Sequence, residues 1–254
     1  YKVSYLGVWA GAVLGATVLL GALLAGDSVK ETLREVARNR VGQVDQVFIA
    51  GEGFFRDQLA EEVRGTKLRS APVLFLKGQL SAQESGRALG NVQILGVDDT
   101  FWEFAPGEGT EVELLRREVA INDHLAASLG LVVGDSVVLR IQEPGMLSRD
   151  APLSGEAEDV ISFRAEVRDI LGDKQFGRFS LEATQLPAPT VFVPLKRLQE
   201  VIDQPARANL ILLGGKERTV SGVDGSLLER IRSRMKLEDY GLSLIDVPLA
   251  KATE

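Results

Sequence analysis

The chain has 254 residues, with 36 acidic and 29 basic side chains, which gives a net charge of −7. It shows no concentrated basic face, so nucleic acid is not the expected main partner. Cysteine is absent and His124 is the sole histidine. The composition therefore excludes disulfides, a cysteine nucleophile and a multi-histidine metal site.

Residues 3–26 contain no charged side chain. A helix of this length would measure about 36 Å, enough to cross a hydrocarbon core of about 30 Å. We therefore predict a transmembrane helix over residues 1–26, in contact with membrane lipid. Gly7, Gly11 and Gly15 recur every four residues, a spacing that favours packing against another membrane helix. A cleaved signal peptide and a buried core helix are the alternatives, and the apolar stretch is long for both.

Residues 27–43 carry apolar side chains at helical spacing among charged ones. This pattern predicts an amphipathic stalk helix. The stalk either begins anew at a capping box that starts at Ser28 or continues the first helix without a break. The charges around residues 1–26 give only a weak indication of which way the helix is oriented.

The next segment, residues 44–105, alternates strand and helix patterns. Strands are predicted at 44–50, 71–77 and 92–97, and the first two enclose a short helix marked by Phe55, Leu59 and Val63; this order is typical of a βαβ unit. Asp98 and Asp99 stand beside Phe101, Trp102 and Phe104. We interpret this group as a turn that leads into an aromatic anchor, because a carboxylate site is the rarer explanation.

Residues 106–189 read as mostly β. Strands are predicted at 118–121, 136–141 and 161–170, and Asn122 and Gly130 are expected to cap the two ends of a short helix.

The last two of these strands are separated by a long polar segment, which predicts a protruding hairpin near residues 143–160. Met146 and Leu147 are its apolar side chains that we expect to contact a partner.

The strand and helix order returns in residues 190–247, with strands predicted at 190–193, 209–213 and 241–247. Pro194 is expected to open one helix, and a second includes Ile231. We therefore pair 44–105 with 190–247 as one βαβ-type subdomain and treat 106–189 as an inserted, mostly-β subdomain. The predicted fold class is α+β.

The first residue is Tyr rather than Met, and we expect the chain to be part of a longer protein. Residues 248–254 then form a tail that leads to further membrane helices.

Motifs for catalysis and cofactor binding are missing from the sequence. The glycine-rich pairs lack the spacing of a phosphate-binding loop or a dinucleotide fingerprint, and no nucleophile elbow is present. We predict no catalytic residue, cofactor or metal. His124 lies on the short predicted helix and has no second ligand near it in sequence, so a surface position is expected.

The order of segments resembles the extracytoplasmic domain of MacB/FtsX-type permeases of ABC transporters, which include lipoprotein-releasing permeases. The stretches that carry the resemblance follow the glycine-rich helix and its stalk: GVDDTFWEF at 96–104, EVAINDHLAASLGLVVGDSVVLRI at 118–141, RAEVRDIL at 164–171 and TVFVPLKRLQEVI at 190–202.

The resemblance implies a non-enzymatic permease subunit of the mechanotransmission type in the inner membrane, with its bulk on the periplasmic side. It implies a cytoplasmic ABC ATPase and a second permease subunit, in a homodimer or a heterodimer. By position, the hairpin near 143–160 is similar to the one with which lipoprotein-releasing members recruit a carrier protein.

Two other functions remain open. A membrane-anchored sensor or ligand-binding module would need a concave pocket and no ATPase. An anchored hydrolase would need His124 or a carboxylate pair in a cleft.

Overall fold

The computed structural model describes residues 2–51, 53–65, 68–107, 110–142, 160–181, 187–215 and 225–240. The chain divides into two compact units, residues 1–40 and residues 41–254, and we call the second unit the body. The predicted strand 241–247, the tail 248–254 and the loop of the predicted hairpin lie outside the described residues.

The first unit is almost entirely one helix, α1, which runs from Lys2 to Val41 over 40 residues. It is about 60 Å long at the usual helical rise. Its stretch Gly11–Thr32 is long and apolar enough to cross a membrane, and none of that stretch is buried. This exposure distinguishes it from a buried core helix. Since α1 passes Ser28 without a break, the stalk continues the first helix, and the alternative of a new start at Ser28 is wrong.

The body contains ten strands, five helices and two short 3-10 helices among its described residues. The strands are β1 Gln46–Ile49, β2 Phe55–Arg56, β3 Leu68–Ala82, β4 Ala88–Val97, β5 Glu118–Asn122, β6 Ser136–Gln142, β7 Val160–Leu171, β8 Thr190–Pro194, β9 Arg207–Ala208 and β10 Leu210–Gly215. The helices are α2 Gln58–Val63, α3 Asp99–Trp102, α4 Asp123–Leu129, α5 Leu195–Val201 and α6 Gly225–Arg234, with 3-10 turns at Asp173–Gln175 and Leu237–Tyr240.

Eight strands share one sheet, in the order β1-β10-β3-β4-β8-β5-β7-β6. Because β6 also pairs with β3, the last six strands close into a ring. Strand β3 belongs to both parts: residues 68–73 pair with β10, and residues 74–82 pair with ring strands. Gly78 stands at a register shift in β3. A Cβ there would overlap the carbonyl oxygen of Arg140, so the close approach of β6 requires glycine.

The predicted βαβ unit is split by a strand from the C-terminal part of the chain. Strands β1 and β3 are each antiparallel to β10, which lies between them, so they run parallel to each other without touching. This arrangement joins strands of 44–105 and of 190–247 in one sheet, and their pairing as one subdomain stays a prediction. Strands of the predicted insert close the same ring as β3, β4 and β8, and the division into two subdomains stays a prediction.

Apolar side chains form three clusters. The first takes alternating residues from all six ring strands, together with α4 and α5. The second is rich in aromatic residues and contains side chains from ring strands, from α3 and from β10. The third joins α2 and α6 to the opposite side of the β1–β10 pair. The alternation of Val137, Leu139 and Ile141, all fully buried, confirms the strand pattern predicted for β6.

Some local predictions need correction. Phe55 belongs to the short strand β2 rather than to a helix, because α2 begins at Gln58. Pro194 precedes α5 in an extended conformation and does not occupy the first helical position. Asn122 and Gly130 cap α4 as predicted: the Asn122 side chain accepts from the Leu125 N–H, and Gly130 is left-handed.

Candidate functional site

The chain enters the body through a network of hydrogen bonds around Gln43. The Gln43 backbone N–H donates to the carbonyl of Phe104 at 2.8 Å, and its side-chain amide donates to the carbonyl of Ala105 at 3.3 Å. Arg69 donates to the Gln43 side-chain oxygen at 2.6 Å and to the carbonyl of Glu103 at 2.7 Å. We call Gly42, Gln43, Arg69 and Phe104 the entry joint.

Glycine is required at two positions of the entry joint and its surroundings. Gly42 has a φ of +59°, and a Cβ there would overlap the carbonyl oxygen of Phe104 and approach the Phe176 ring to 3.0 Å. A Cβ on Gly214 would overlap the carbonyl oxygen of Gln43. The Arg69 guanidinium also lies over the Phe104 ring, 5.5 Å from its centroid. The backbone just after α1 is therefore packed against the body with no room for a side chain.

An aromatic cluster supports the entry joint from inside the body. Phe101 is its centre, and its ring centroid lies 4.9 to 5.8 Å from those of Trp102, Phe176, Phe179 and Phe192. The aromatic anchor predicted at residues 98–104 is thus confirmed. No pattern in the sequence predicted that Phe176 and Phe179, from an irregular segment, would join it.

A second fixed point holds the 3-10 turn Leu237–Tyr240 to β2. The Asp239 carboxylate accepts the Arg56 backbone N–H at 2.9 Å, its Nε at 3.1 Å and its Nη2 at 3.0 Å. It also accepts the Lys236 N–H at 2.8 Å. Arg56 donates to Glu62 at 2.9 Å as well. We call Arg56, Glu62 and Asp239 the exit clamp.

The Arg56–Asp239 pair of the exit clamp is buried: the Asp239 side chain is fully enclosed, and that of Arg56 is 10% exposed. Burial by itself opposes ionisation of Asp239, but the hydrogen bonds from Arg56 and from the backbone outweigh it, and the pKa of Asp239 lies below its usual value. The hydrogen bond to Asp239, followed by the one to Glu62, raises the pKa of Arg56. The clamp is therefore fully charged at neutral pH.

Two adjoining cavities open on the body near α3. One measures about 610 Å³ and lies between α2, α3 and the start of α5. The other measures about 690 Å³ and reaches the entry joint at Gln43 and Arg69. Asp99, Trp102 and Val112 line both. The volumes fall in the range of small-molecule pockets.

Acidic side chains outnumber basic ones around these cavities. Seven carboxylates face three cations: Asp57, Glu61, Asp98, Asp99, Glu103, Glu111 and Glu113 against Arg64, Arg69 and Lys196. Arg64 pairs with Glu103 at 2.5 Å. Asp98 caps α3 by accepting the Thr100 N–H at 3.0 Å, and burial raises the pKa of Asp98.

The predicted site residues are distributed as follows. Gly11 and Gly15 lie on α1 with no other part of the chain within 4 Å of an added Cβ, so their packing role stays a prediction. The surroundings of Gly7 lie outside the described residues, as do Met146 and Leu147. His124 is half-buried on α4 and lines neither of the two cavities. Among the described side chains, no cluster of three potential metal ligands occurs.

Comparison with known proteins gives one family match. The family model described as the MacB-like periplasmic core domain matches residues 9–235. No curated protein sequence matches the chain.

Solved structures show weaker similarity. The periplasmic region of MacB from Actinobacillus actinomycetemcomitans is 10% identical, with a TM-score of 0.47 over 82% of this chain and 88% of that one. The extracellular domain of the noncanonic ABC-type transporter YknZ from Gram-positive bacteria is 12% identical, with a TM-score of 0.43 over 78% of this chain and 94% of that one. The match of the family model carries the assignment.

Proposed function

The chain belongs to the family of the MacB-like periplasmic core domain, and from this premise we propose that it transmits movement between the membrane and its extracytoplasmic body. It is the MacB-like domain of an ABC-transporter permease, a class that works with ABC ATPases. The family match begins within α1 and extends to the end of α6, so it includes most of the apolar helix and the body up to residue 235. That single observation carries the proposal, and it also makes the predicted family resemblance a confirmed one.

The entry joint supports a mechanical role. Helix α1 is continuous to Val41, the residue at which the body begins. Immediately afterwards the backbone of Gln43 is bonded to Phe104, and Gly42 leaves no space beside the Phe104 carbonyl. A displacement of Gly42 and Gln43 would therefore have to move α3 and the aromatic cluster with it, because closely packed interiors transmit strain.

The first test is co-purification of the full-length parent protein from membranes in mild detergent, followed by mass spectrometry of the bound proteins. We expect an ABC ATPase in equal amount, together with a second permease subunit that is either identical or different. Recovery of the protein without an ATPase under every detergent condition would overturn the proposal.

A matched pair of glycine variants tests the entry joint. Gly42→Ala combines a positive φ with the overlap on Phe104, whereas Gly51→Ala has a similar φ of +72° and open space around its Cβ. Both variants pay the cost of alanine at positive φ, but only Gly42→Ala distorts the joint. We expect Gly42→Ala to keep the ATPase bound and to lose transport activity of the complex, and Gly51→Ala to keep both. Equal activity of the two variants would contradict this role for the joint.

The hairpin near residues 143–160 is proposed to bind an extracytoplasmic carrier or adaptor protein through Met146 and Leu147. Strands β6 and β7 form its base, since Gln142 pairs with Val160. Replacement of Met146 and Leu147 by Ser should reduce capture of that partner, and Leu153→Ser in the same loop is the matched control. An equal effect of the control would remove Met146 and Leu147 as specific contacts.

Packing of α1 against other membrane helices is proposed for Gly7, Gly11 and Gly15. Replacing Gly11 and Gly15 by Leu would fill the groove that small residues leave, and we expect the assembled complex to dissociate more readily in detergent. Gly21→Leu, on the same helix outside this spacing, is the control. If both changes weaken the complex equally, the groove has no specific role.

A ligand-binding module is the second candidate, and the two adjoining cavities are the observation that favours it. Their carboxylate excess suits a cationic small molecule. If the parent protein is recovered without an ATPase and a cationic ligand raises its thermal stability, this candidate replaces the first. Asp99→Asn should weaken that stabilisation, because Asp99 lines both cavities.

A further inference from the structure

Strand β1 lies at one end of the eight-stranded sheet, and within the described part of the chain β10 is its only strand partner. The Ala50 N–H donates to the carbonyl of Asn209 at 3.0 Å, which continues the β1–β10 register. In an antiparallel ladder every second residue forms backbone hydrogen bonds with the neighbouring strand. The backbone N–H and C=O of Phe48 therefore point toward β10, as those of Ala50 do. The backbone groups of Val47 and Ile49 then point to the outer edge.

Apart from its short length of four residues, this outer edge lacks the features that normally protect an edge strand. Natural edge strands carry charges, proline or a bulge that blocks further pairing. The four residues of β1 are Gln-Val-Phe-Ile, with no charge and no proline, and the β1–β10 register has no bulge. Ile49 is 60% exposed. The outer edge of β1 is therefore suited to pairing with a further strand.

The order of elements indicates what covers it. Strand β1, helix α2 and strand β3 form a crossover that skips β10, and β10 followed by α6 begins a second crossover. The two helices pack on the same face of the sheet, since Leu59 of α2 and Ile231 of α6 share one apolar cluster. Crossover connections of this kind are right-handed. Strand β10 runs opposite to β1. A right-handed crossover that leaves β10 over the same face therefore moves across the sheet in the direction opposite to the crossover that leaves β1. That direction leads past β1 to its free edge.

We infer that residues 241–247 dock on the outer edge of β1 as an antiparallel strand. The residues that precede this segment lie near β1. Asp239 is hydrogen-bonded to Arg56 of β2, and β2 lies beside β1, since the ring centroids of Phe48 and Phe55 are 5.5 Å apart. The chain therefore reaches Tyr240, the last described residue before this segment, close to the Ile49 end of β1. Seven extended residues span about 23 Å, which exceeds the length of about 13 Å of the four residues of β1.

The composition of 241–247 also fits this position. Leu242 and Leu244 would share one face of the strand with Asp246, and Ile245 and Val247 would share the other with Ser243. Both faces of the sheet are apolar at β1, since Val47 packs against the aromatic cluster and Phe48 against the α2–α6 cluster. A strand with two large apolar side chains on each face suits such an edge, because those side chains would be buried.

The docked strand would bring residue 247 beside Gln46, next to the segment Gln43–Asp45 through which the chain enters the body. The entry and exit of the body would then lie at the same end of neighbouring strands. Only this consequence for the path of force rests on the proposed function; the docking of residues 241–247 does not depend on an ATPase or on transport.

Cysteine cross-linking of the whole chain in mild detergent tests the inference, because the chain has no native cysteine. Ile49→Cys and Gln46→Cys are each combined with one cysteine at every position from 241 to 247. Partners in a ladder place Cα atoms within reach of a disulfide. We expect intrachain disulfides in which the best partner of Gln46→Cys lies three residues further along the chain than that of Ile49→Cys.

The pair Arg140→Cys and Ser162→Cys is the matched control, because these exposed residues are opposite each other in the antiparallel β6–β7 ladder. If the control pair cross-links and no pair with residues 241–247 does, the inference is wrong. A partner shifted in the reverse direction would show a parallel strand and overturn it. Disulfides only between two chains would assign the edge to a second copy instead.

Discussion

The exit clamp gives the sharpest stability prediction. In Asp239→Asn the side chain keeps its shape but loses its charge, and one of its two polar atoms becomes an NH₂ group that cannot accept the hydrogen bonds of Arg56. In the native chain the Asp239 carboxylate accepts hydrogen bonds from three nitrogens of Arg56 and from the Lys236 N–H. Breaking a buried ion pair by removing one partner costs about 3–5 kcal/mol. For a body of roughly 200 residues this lowers the Tm by about 6–20 °C.

The assay is thermal unfolding of the whole chain in mild detergent, with hydrogen exchange followed by mass spectrometry. We expect exchange to accelerate in α6 and in the turn Leu237–Tyr240, while the ring strands stay protected. Glu62→Gln is the control: it removes the partly exposed partner of Arg56, and such pairs contribute up to about 1 kcal/mol. If Asp239→Asn costs no more than Glu62→Gln, the clamp does not hold the C-terminal part of the body.

The acid dependence of the clamp has a definite sign. Since the pKa of Asp239 is lowered in the folded body, its contribution is fully present above about pH 4, the usual value of an unfolded Asp. It is lost as the pH falls through the folded pKa. The stability difference between the native chain and Asp239→Asn should therefore shrink below about pH 4, and a difference that grows there would contradict the assignment.

Three further substitutions test other parts of the body. Asp98→Asn keeps a side-chain oxygen for the cap on the Thr100 N–H and removes the charge that burial disfavours; we expect little loss at pH 7, against about 1 kcal/mol for Asp98→Ala, measured by denaturant unfolding. Phe101→Ala should cost about 3–5 kcal/mol in the same measurement, because a fully buried ring at the centre of the aromatic cluster is removed. Asn122→Asp should lower the stability of the body at pH 7, because the amide of the native Asn122 donates to the carbonyls of Gly177 and Ala188 and an ionised Asp cannot. That loss should diminish in acid, where a protonated Asp can donate, and a loss independent of pH would contradict it.

Only part of the candidate site could be predicted from the sequence. The anchor of Phe101, Trp102 and Phe104 follows from local pattern and is confirmed. In place of the predicted turn the structure has the short helix α3, which Asp98 caps. Arg56 and Asp239 belong to no local sequence motif, because they are 183 positions apart in the sequence and come into contact only in the folded chain. Gln43 was predicted only as the end of the stalk, and its partners in residues 69 and 103–105 appear only when the chain is folded.

The sequence by itself determined the elements whose cause is local. An uncharged stretch of 24 residues predicts the membrane-spanning character of α1, the alternation in β6 predicts its buried face, and Asn122 and Gly130 cap α4 through bonds to residues three or four positions away. The tertiary structure alone decided that β10 separates β1 from β3, that β6 closes the ring on β3, and that Arg56 meets Asp239. These pairings depend on which distant surfaces are complementary once the chain is compact, and side-chain periodicity records which face of a strand is buried but not which strand lies beside it.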